Sequence, residues 1–251
     1  MCILFIAIQQ HPQYPLIIAA NRDEFFARPS RSAHFWDDAS DIFAGRDMQA
    51  GGTWLGINKA GQIAALTNLR MPESIRTDAR SRGELVARYL RNDDSAEQYR
   101  DFVANEHSAF NPFNLLFGDG RQLFVFSSLA PGFKRLEAGF HSISNGMPDD
   151  YWPKMSRGVN LLEQCILQPG ELNIEQLAAV MQDKTQADDD SLPATGISQA
   201  DEKHLSSIFI SGAEYGTRTT SLLLCEPGRK QLIEYNYEAH GVLTDKQSFV
   251  L

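Results

Sequence analysis

Two short runs of apolar residues near the start of the chain constrain its fold more than any other feature. Residues 2–8 read "CILFIAI" and residues 16–20 read "LIIAA", with the turn-forming "QQHPQYP" between them. Each run is apolar at every position, which is typical of a strand buried on both faces. The sequence therefore predicts an antiparallel pair of strands inside stacked sheets that helices cover.

The order of the remaining segments predicts an α+β fold. A hairpin over "TWLGIN" and "QIAALTN" precedes helical segments such as "SRGELVARYLRN" and "SAEQYRDFVANEH". A second hairpin surrounds residues 118–120, a further helix covers "NIEQLAAVMQD", and the strands "TTSLLLCE" and "KQLIEYNY" close the chain. We expect the first and last strands to meet in one sheet. We also predict one domain over residues 1–251, with a polar loop or insertion around residues 184–203.

Composition excludes some classes of partner. The 251 residues carry a net charge of −9, which argues against binding to nucleic acid. The chain has no apolar run of about 18 residues, so we expect no membrane span, and the opening run is too short for a secretory signal. The three cysteines have no CxxC spacing, which predicts reduced thiols and a cytoplasmic location. The sequence does not fix the oligomeric state.

Cys2 is the first candidate functional residue. If Met1 is removed, Cys2 carries both a thiol and a free α-amine that can accept the thiol proton. Cysteine is also a common buried residue, so Cys2 can equally be the apolar start of a strand. Position alone leaves both interpretations open.

Further candidates are polar residues at the ends of predicted strands. The stretch "NRDE", residues 21–24, follows the second apolar run, and antiparallel pairing would bring it to the same sheet end as Cys2. Asn68 and Asn145 could each donate to an oxyanion, although either could simply form a turn. Arg218, in "YGTRTTS", could bind a ligand or form a structural ion pair.

Several familiar signatures are missing from the sequence. It contains no P-loop, no GxGxxG after a strand, no HExxH and no GxSxG. The six histidines are scattered with no pair at metal-ligand spacing, so we predict no metal site.

Taken together, these stretches resemble a known family. The initial Met-Cys, "NRDE", "GGTWLGIN", "LTNLR", "SNG" and "YGTR" occur in the order seen in the NRDE-motif family, which includes the transport and Golgi organisation protein 2 homologues. More distantly, the pattern is similar to the N-terminal nucleophile (Ntn) hydrolases, especially the cholylglycine hydrolase and penicillin V acylase group. That resemblance implies a four-layer αββα sandwich in which two largely antiparallel sheets lie between helical layers.

The resemblance also implies roles for particular residues. Cys2 would be the nucleophile, Asn68 and Asn145 would hold the oxyanion, and Arg218 would belong to the same site. The hydrolases separate their arginine and acid by one residue, whereas Arg22 and Asp23 are adjacent here. The supporting pair is therefore either Arg22 with Asp23 or Asn21 with Glu24.

Three functions remain open at the sequence level. The first is an enzyme, an amidohydrolase or acyltransferase in which Cys2 attacks a small amide or thioester. The enzyme would require no cofactor. The second function, implied by the resemblance, is binding and intracellular trafficking of haem or an acyl-CoA or lipid-like ligand on the same scaffold, without catalysis. Cys2, His11, His34 and His141 are the candidate haem ligands. The third is a scaffold in which Cys2 is vestigial.

Overall fold

The computed structural model describes residues 2–91, 94–148 and 150–251. Its strands, numbered in chain order, are β1 Cys2–Ile8, β2 Leu16–Phe25, β3 Ser30–Trp36, β4 Ala39–Asp47, β5 Leu55–Asn58, β6 Gln62–Asn68, β7 Phe113–Asp119, β8 Leu123–Ser127, β9 Ala130–Arg135, β10 Gly139–Ile143, β11 Tyr215–Glu226, β12 Arg229–Glu238 and β13 Val242–Val250. Its α-helices are α1 Gly83–Arg91, α2 Ala96–Glu106, α3 Pro153–Ile166, α4 Ile174–Met181 and α5 Gln199–His204. These elements fall into two compact units, one built from the two ends of the chain and one from Arg28–Leu136.

The unit built from the two chain ends contains a six-stranded antiparallel sheet. Its strand order is β10-β1-β2-β11-β12-β13. The apolar runs form the hairpin β1–β2, whose register places Cys2 opposite Arg22. The predicted meeting of the first and last strands in one sheet is therefore observed, and "NRDE" lies at the same end of the hairpin as Cys2.

The central strands of this sheet are buried on both faces. Ile3, Phe5 and Ala7 of β1 pack on one face with apolar residues of α3 and α4. Leu4 and Ile6 point to the opposite face, and they are also buried, at 2% and 0% exposure. The uninterrupted apolar pattern of β1 is thus explained by burial on both sides.

Helix α3 approaches β1 closely at one glycine. A Cβ atom added to Gly158 would lie 1.9 Å from Cζ of Phe5, which is far inside van der Waals contact. Glycine is therefore the residue that allows the helix backbone to rest directly on the Phe5 ring, and this contact fixes the height of α3 above the strand that begins at Cys2.

The unit formed by Arg28–Leu136 contains a seven-stranded antiparallel sheet in sequential order from β3 to β9. Helices α1 and α2 cover one face, where Tyr99 packs against Phe117 with ring centroids 5.0 Å apart. Ser95 caps α2 in a capping box with Gln98. Strand β6 of this unit ends at Asn68.

Some elements lie outside what the sequence predicts. Strand β13 pairs only with β12, at the edge of its sheet, and its residues are alternately exposed. An edge strand of this kind needs no continuous apolar run, so "VLTDKQSFV" gives little signal. The polar segment 184–203 is mostly loop and leads into α5, where buried Glu202 accepts hydrogen bonds from the backbone and hydroxyl of Thr195.

The chain divides into two compact units, and the single domain over residues 1–251 stays a prediction. Within the described ranges, no helix is long and apolar enough to cross a membrane.

The contact of Gly158 with Phe5 gives a first prediction. Gly158→Ala should lower the free energy of unfolding by about 1–3 kcal/mol, because the added methyl group overpacks the Phe5 contact. Alanine alone would favour the helix by about 1 kcal/mol, so the sign distinguishes packing from helix propensity. Denaturant unfolding measures the change. Gly120→Ala is the matched control, since an added Cβ there meets no atom within 4 Å; a more stable Gly158→Ala variant would contradict the packing.

Candidate active site

Cys2 begins β1 and lies in a row of side chains that crosses three strands. Cys2 is opposite Arg22 of β2, and Arg22 is opposite Thr219 of β11. Partners in an antiparallel register share a face, so the three side chains lie on the face turned away from α3 and α4. Each is less than 8% exposed. The thiol is therefore a buried group with an arginine beside it.

The surroundings of the Cys2 thiol act on its ionisation in opposite directions. Burial raises the pKa of the thiol above its ordinary value, and the negative charge of Asp23 raises it further. The Arg22 guanidinium and the backbone N–H of Asp23 lower the pKa by stabilising the thiolate. Burial dominates, so the thiol is protonated at neutral pH and needs a base before it can act as a nucleophile.

Asp23 is held by β11 at a bulge. The Thr217 hydroxyl donates to Oδ1 of Asp23 over 2.7 Å, and the Tyr215 hydroxyl donates to the Asp23 carbonyl over 3.1 Å. The strand register shifts between Thr217 and Thr219, which leaves Arg218 as the extra residue of the bulge. Arg218 donates from Nη1 to the Phe25 carbonyl over 3.2 Å, at the outer end of β2.

Asn145 reaches the backbone of Cys2 from the other side of β1. Strand β10 pairs with β1 and ends at Ile143, so the next two residues continue alongside Cys2. The Asn145 Nδ2 group and the Ser144 hydroxyl each donate to the Cys2 carbonyl at 3.4 Å. Two side chains therefore hold the backbone of the candidate nucleophile.

Lys154 is a member of this cluster that the sequence reasoning missed. It lies in the first turn of α3, is 3% exposed, and donates from Nζ to Oδ1 of Asn145 over 3.4 Å. The signal for it was present, because Lys154 falls on the same helix face as buried Gly158, Leu162 and Cys165. A lysine within an apolar stripe is unusual enough to mark a site.

The other two residues of "NRDE" have different surroundings. Asn21 points toward the helices, donates from Nδ2 to the carbonyls of Met181 and Ile208, and accepts from the Thr220 hydroxyl. Glu24 accepts from the backbone N–H of Phe25. Arg22 and Asp23 are thus the pair that borders Cys2, and the ligand-binding roles of Asn21 and Glu24 stay predictions.

Asn68 belongs to the Arg28–Leu136 unit. It is the last residue of β6, lies opposite Phe113 of β7, and is half-buried. Its role as an oxyanion donor stays a prediction.

The histidines proposed as haem ligands each contact backbone groups two to four residues away in the sequence. Nδ1 of His11 accepts from the backbone of Gln13 and Tyr14, Nδ1 of His34 contacts the Ser32 carbonyl, and Nε2 of His141 contacts the Glu137 carbonyl. These contacts give no reason to prefer one of them as an axial ligand, and haem binding stays a prediction. Across the ranges the structure describes, no three His, Cys, Asp or Glu side chains are grouped to hold a metal ion.

Solved structures show which fold this geometry belongs to. The C2A mutant of conjugated bile acid hydrolase from Clostridium perfringens superposes with a TM-score of 0.57 over 99% of this chain and 92% of its own, at 11% identity. A Caenorhabditis elegans N-acylethanolamine-hydrolyzing acid amidase ortholog gives a TM-score of 0.52 over 89% and 92%, at 10% identity. The α+β fold of Ntn-hydrolase type is therefore confirmed.

Relatives found by sequence have a higher identity to this chain than these two structures do. The mouse (Mus musculus) Transport and Golgi organization 2 homolog is 33% identical over 246 residues, covering 90% of this chain and 89% of the mouse protein. The Homo sapiens homolog is 32% identical with the same coverage, and the Drosophila melanogaster protein is 29% identical over 254 residues. The family model for Transport and Golgi organisation 2 matches residues 1–239. The chain therefore belongs to the Transport and Golgi organisation 2 family, as the order of its motifs predicts.

Proposed function

We propose that this chain is a cysteine-type Ntn hydrolase that cleaves, or transfers the acyl group of, a small amide or thioester. The observation that carries the proposal is the position of Cys2 at the end of the central hairpin. Its thiol faces the Arg22 guanidinium and the Asp23 backbone N–H, two groups that stabilise a thiolate. A cysteine that served only as the apolar start of a strand would need neither.

The proposed chemistry begins with removal of Met1, which lies outside the described residues. The freed α-amine of Cys2 takes the thiol proton, and the sulfur attacks the substrate carbonyl to form a tetrahedral oxyanion. Asn68 and Asn145 are the proposed amide donors to that oxyanion. The C–N bond, or the C–S bond of a thioester, breaks as the ammonium returns its proton to the leaving group.

The resulting thioester on Cys2 is then hydrolysed by water or accepted by another nucleophile. In the first case, water adds to the acyl carbon, the α-amine takes its proton, and the Cys2 sulfur leaves. The outcome depends on how much water the occupied site admits. In this scheme Arg22 and Asp23 set the ionisation of Cys2, and Arg218 lies beside the outer end of β2.

The names of the structural neighbours support the amide arm of this proposal. One is a hydrolase of conjugated bile acids, crystallised with alanine in place of its cysteine at position 2, and the other hydrolyses N-acylethanolamines. Both names describe hydrolases, and the second describes an amidase. Their identity to this chain is 10–11%, so the reaction itself is carried here only by the contacts of Cys2.

Replacing the nucleophile tests the proposal directly. Against a panel of N-acyl amides and acyl thioesters of increasing chain length, Cys2→Ala should reduce release of the amine or thiol by about three orders of magnitude. Cys225→Ala is the matched control, because Cys225 is similarly buried and burial raises the pKa of its thiol to about 12. That variant should keep its activity.

Two outcomes of this experiment would contradict the proposal. One is turnover that persists in Cys2→Ala. The other is no turnover of any panel member by the wild type, together with a saturable Soret shift on titration with haemin, which would favour the haem-handling alternative.

The two charges beside Cys2 should shift the pKa of its thiol in opposite directions when each is removed. Arg22→Gln removes a cation that stabilises the thiolate, so the pKa of Cys2 should rise by about one unit. Asp23→Asn removes an anion that destabilises the thiolate, and its amide oxygen can still accept from Thr217, so the pKa should fall by a similar amount. The rate of Cys2 alkylation by iodoacetamide as a function of pH measures both.

Arg157→Gln is the control for loss of an arginine. Arg157 lies on α3, and its replacement breaks the ion pair with Asp183, which follows α4. The alkylation profile should stay unchanged. Shifts of the same sign in Arg22→Gln and Asp23→Asn would mean that the variants loosen the site instead of changing its charge, and would contradict this assignment.

A further inference from the structure

Lys154 is a buried cation in the core of the unit built from the two chain ends. It is 3% exposed, and it occupies a helix face otherwise made of Gly158, Leu162 and Cys165. Moving an ammonium group out of water costs several kcal/mol unless hydrogen bonds replace the lost water. An apolar side chain of the same length would fill this space without that cost, so packing alone does not account for a lysine here.

The contacts of the ammonium group show what it holds. Nζ donates to the backbone carbonyl of Leu205 over 3.2 Å and to Oδ1 of Asn145 over 3.4 Å. The Trp152 ring centroid lies 5.9 Å from Nζ. Lys154 therefore joins the loop after β10 to the segment that follows α5.

The contact with Asn145 fixes the orientation of the Asn145 amide. A lysine ammonium can only donate, so the group facing it must be the oxygen, Oδ1. The NH₂ group is then directed to the opposite side, where Nδ2 donates to the Cys2 carbonyl over 3.4 Å. The positive charge of the ammonium group beside Oδ1 also polarises the amide and makes its N–H a stronger donor.

The Asn145 amide in turn holds the residue that carries the thiol. The backbone of Cys2 is fixed by Asn145 and Ser144 on one side and by pairing with Arg22 on the other. Two charged groups that act on its thiol, Arg22 and Asp23, both lie on β2. A small displacement of Cys2 would move the sulfur away from the groups that stabilise its thiolate.

We propose that Lys154 is a positioning residue for Cys2. It fixes the Asn145 amide, which holds the Cys2 backbone so that the thiol faces Arg22 and the Asp23 N–H. The inference rests on the proposed function for the meaning of the thiol, but the chain of contacts from Lys154 through Asn145 to Cys2 can be tested without any substrate.

The first measurement observes Asn145 itself. In protein labelled with ¹⁵N-asparagine, the side-chain NH₂ resonances of Asn145 are identified by their loss in Asn145→Asp. Lys154→Met keeps the apolar part of the side chain and removes the donor. It should shift the Asn145 pair more than any other asparagine pair. Lys184→Met, an exposed lysine of the same unit, should leave the pair in place; an unmoved pair in Lys154→Met would overturn the proposal.

The second measurement is a double-mutant cycle on the pH dependence of Cys2 alkylation. Lys154→Met and Asn145→Ala should each raise the apparent pKa of Cys2 by about half a unit or more, because the thiolate loses its alignment with Arg22. If Lys154 acts through Asn145, the double variant should show no further rise. Additive shifts, or no shift in Lys154→Met, would overturn the proposal.

These readouts separate the positioning role from the proposed hydrolysis. A chain that hydrolyses nothing but shows the shifted amide and the non-additive cycle would retain the role of Lys154 and lose the function. If Lys154→Met fails to fold, Lys154→Gln replaces the ammonium with a neutral donor. It should then give smaller changes of the same sign in both measurements, and a wild-type amide and pKa in that variant would overturn the proposal.

Discussion

The register of the β1–β2 hairpin is the constraint on which the candidate site depends. Pairing of Cys2 with Arg22 puts a thiol and a guanidinium side by side on one face, at the end of two strands that are buried over most of their length. A slip of one residue would turn Cys2 toward α3 and α4, where Ile3 and Phe5 now pack. The apolar side chains of both runs prevent that slip, so the core that stabilises the sheet also aims the candidate nucleophile.

Burial and charge oppose each other at this position. Removal from water favours the neutral form of the Cys2 thiol, which is less reactive than the thiolate. Arg22, the Asp23 backbone N–H and the amide network from Lys154 to Asn145 provide a place where a thiolate can be stabilised once a base takes the proton. This balance between burial and charge suits a site that reacts only after a substrate has excluded water and brought its carbonyl to the sulfur.

The sequence predicts much of this arrangement because the decisive signals are local. The two apolar runs and the turn between them require only neighbouring residues to specify a hairpin, and that hairpin brings Arg22 and Asp23 to Cys2. The division of labour within "NRDE" is not visible in sequence, since the alternation of β2 and the bulge at Arg218 decide which side chains face Cys2. Lys154 is hidden for a similar reason. Its contact with Asn145 depends on the packing of α3 against β1 at Gly158, which involves residues distant in the sequence.

The most direct test of the central claim is intact-mass spectrometry of the protein incubated with an N-acyl amide and quenched in acid, followed by peptide mapping. If Cys2 is an N-terminal nucleophile, the mass of the protein should lack Met1, and the Cys2 peptide should gain the mass of the acyl group. The Cys165 and Cys225 peptides should carry no adduct. A protein that retains Met1, or an acyl group found only on another residue, would contradict the assignment of Cys2 as an N-terminal nucleophile.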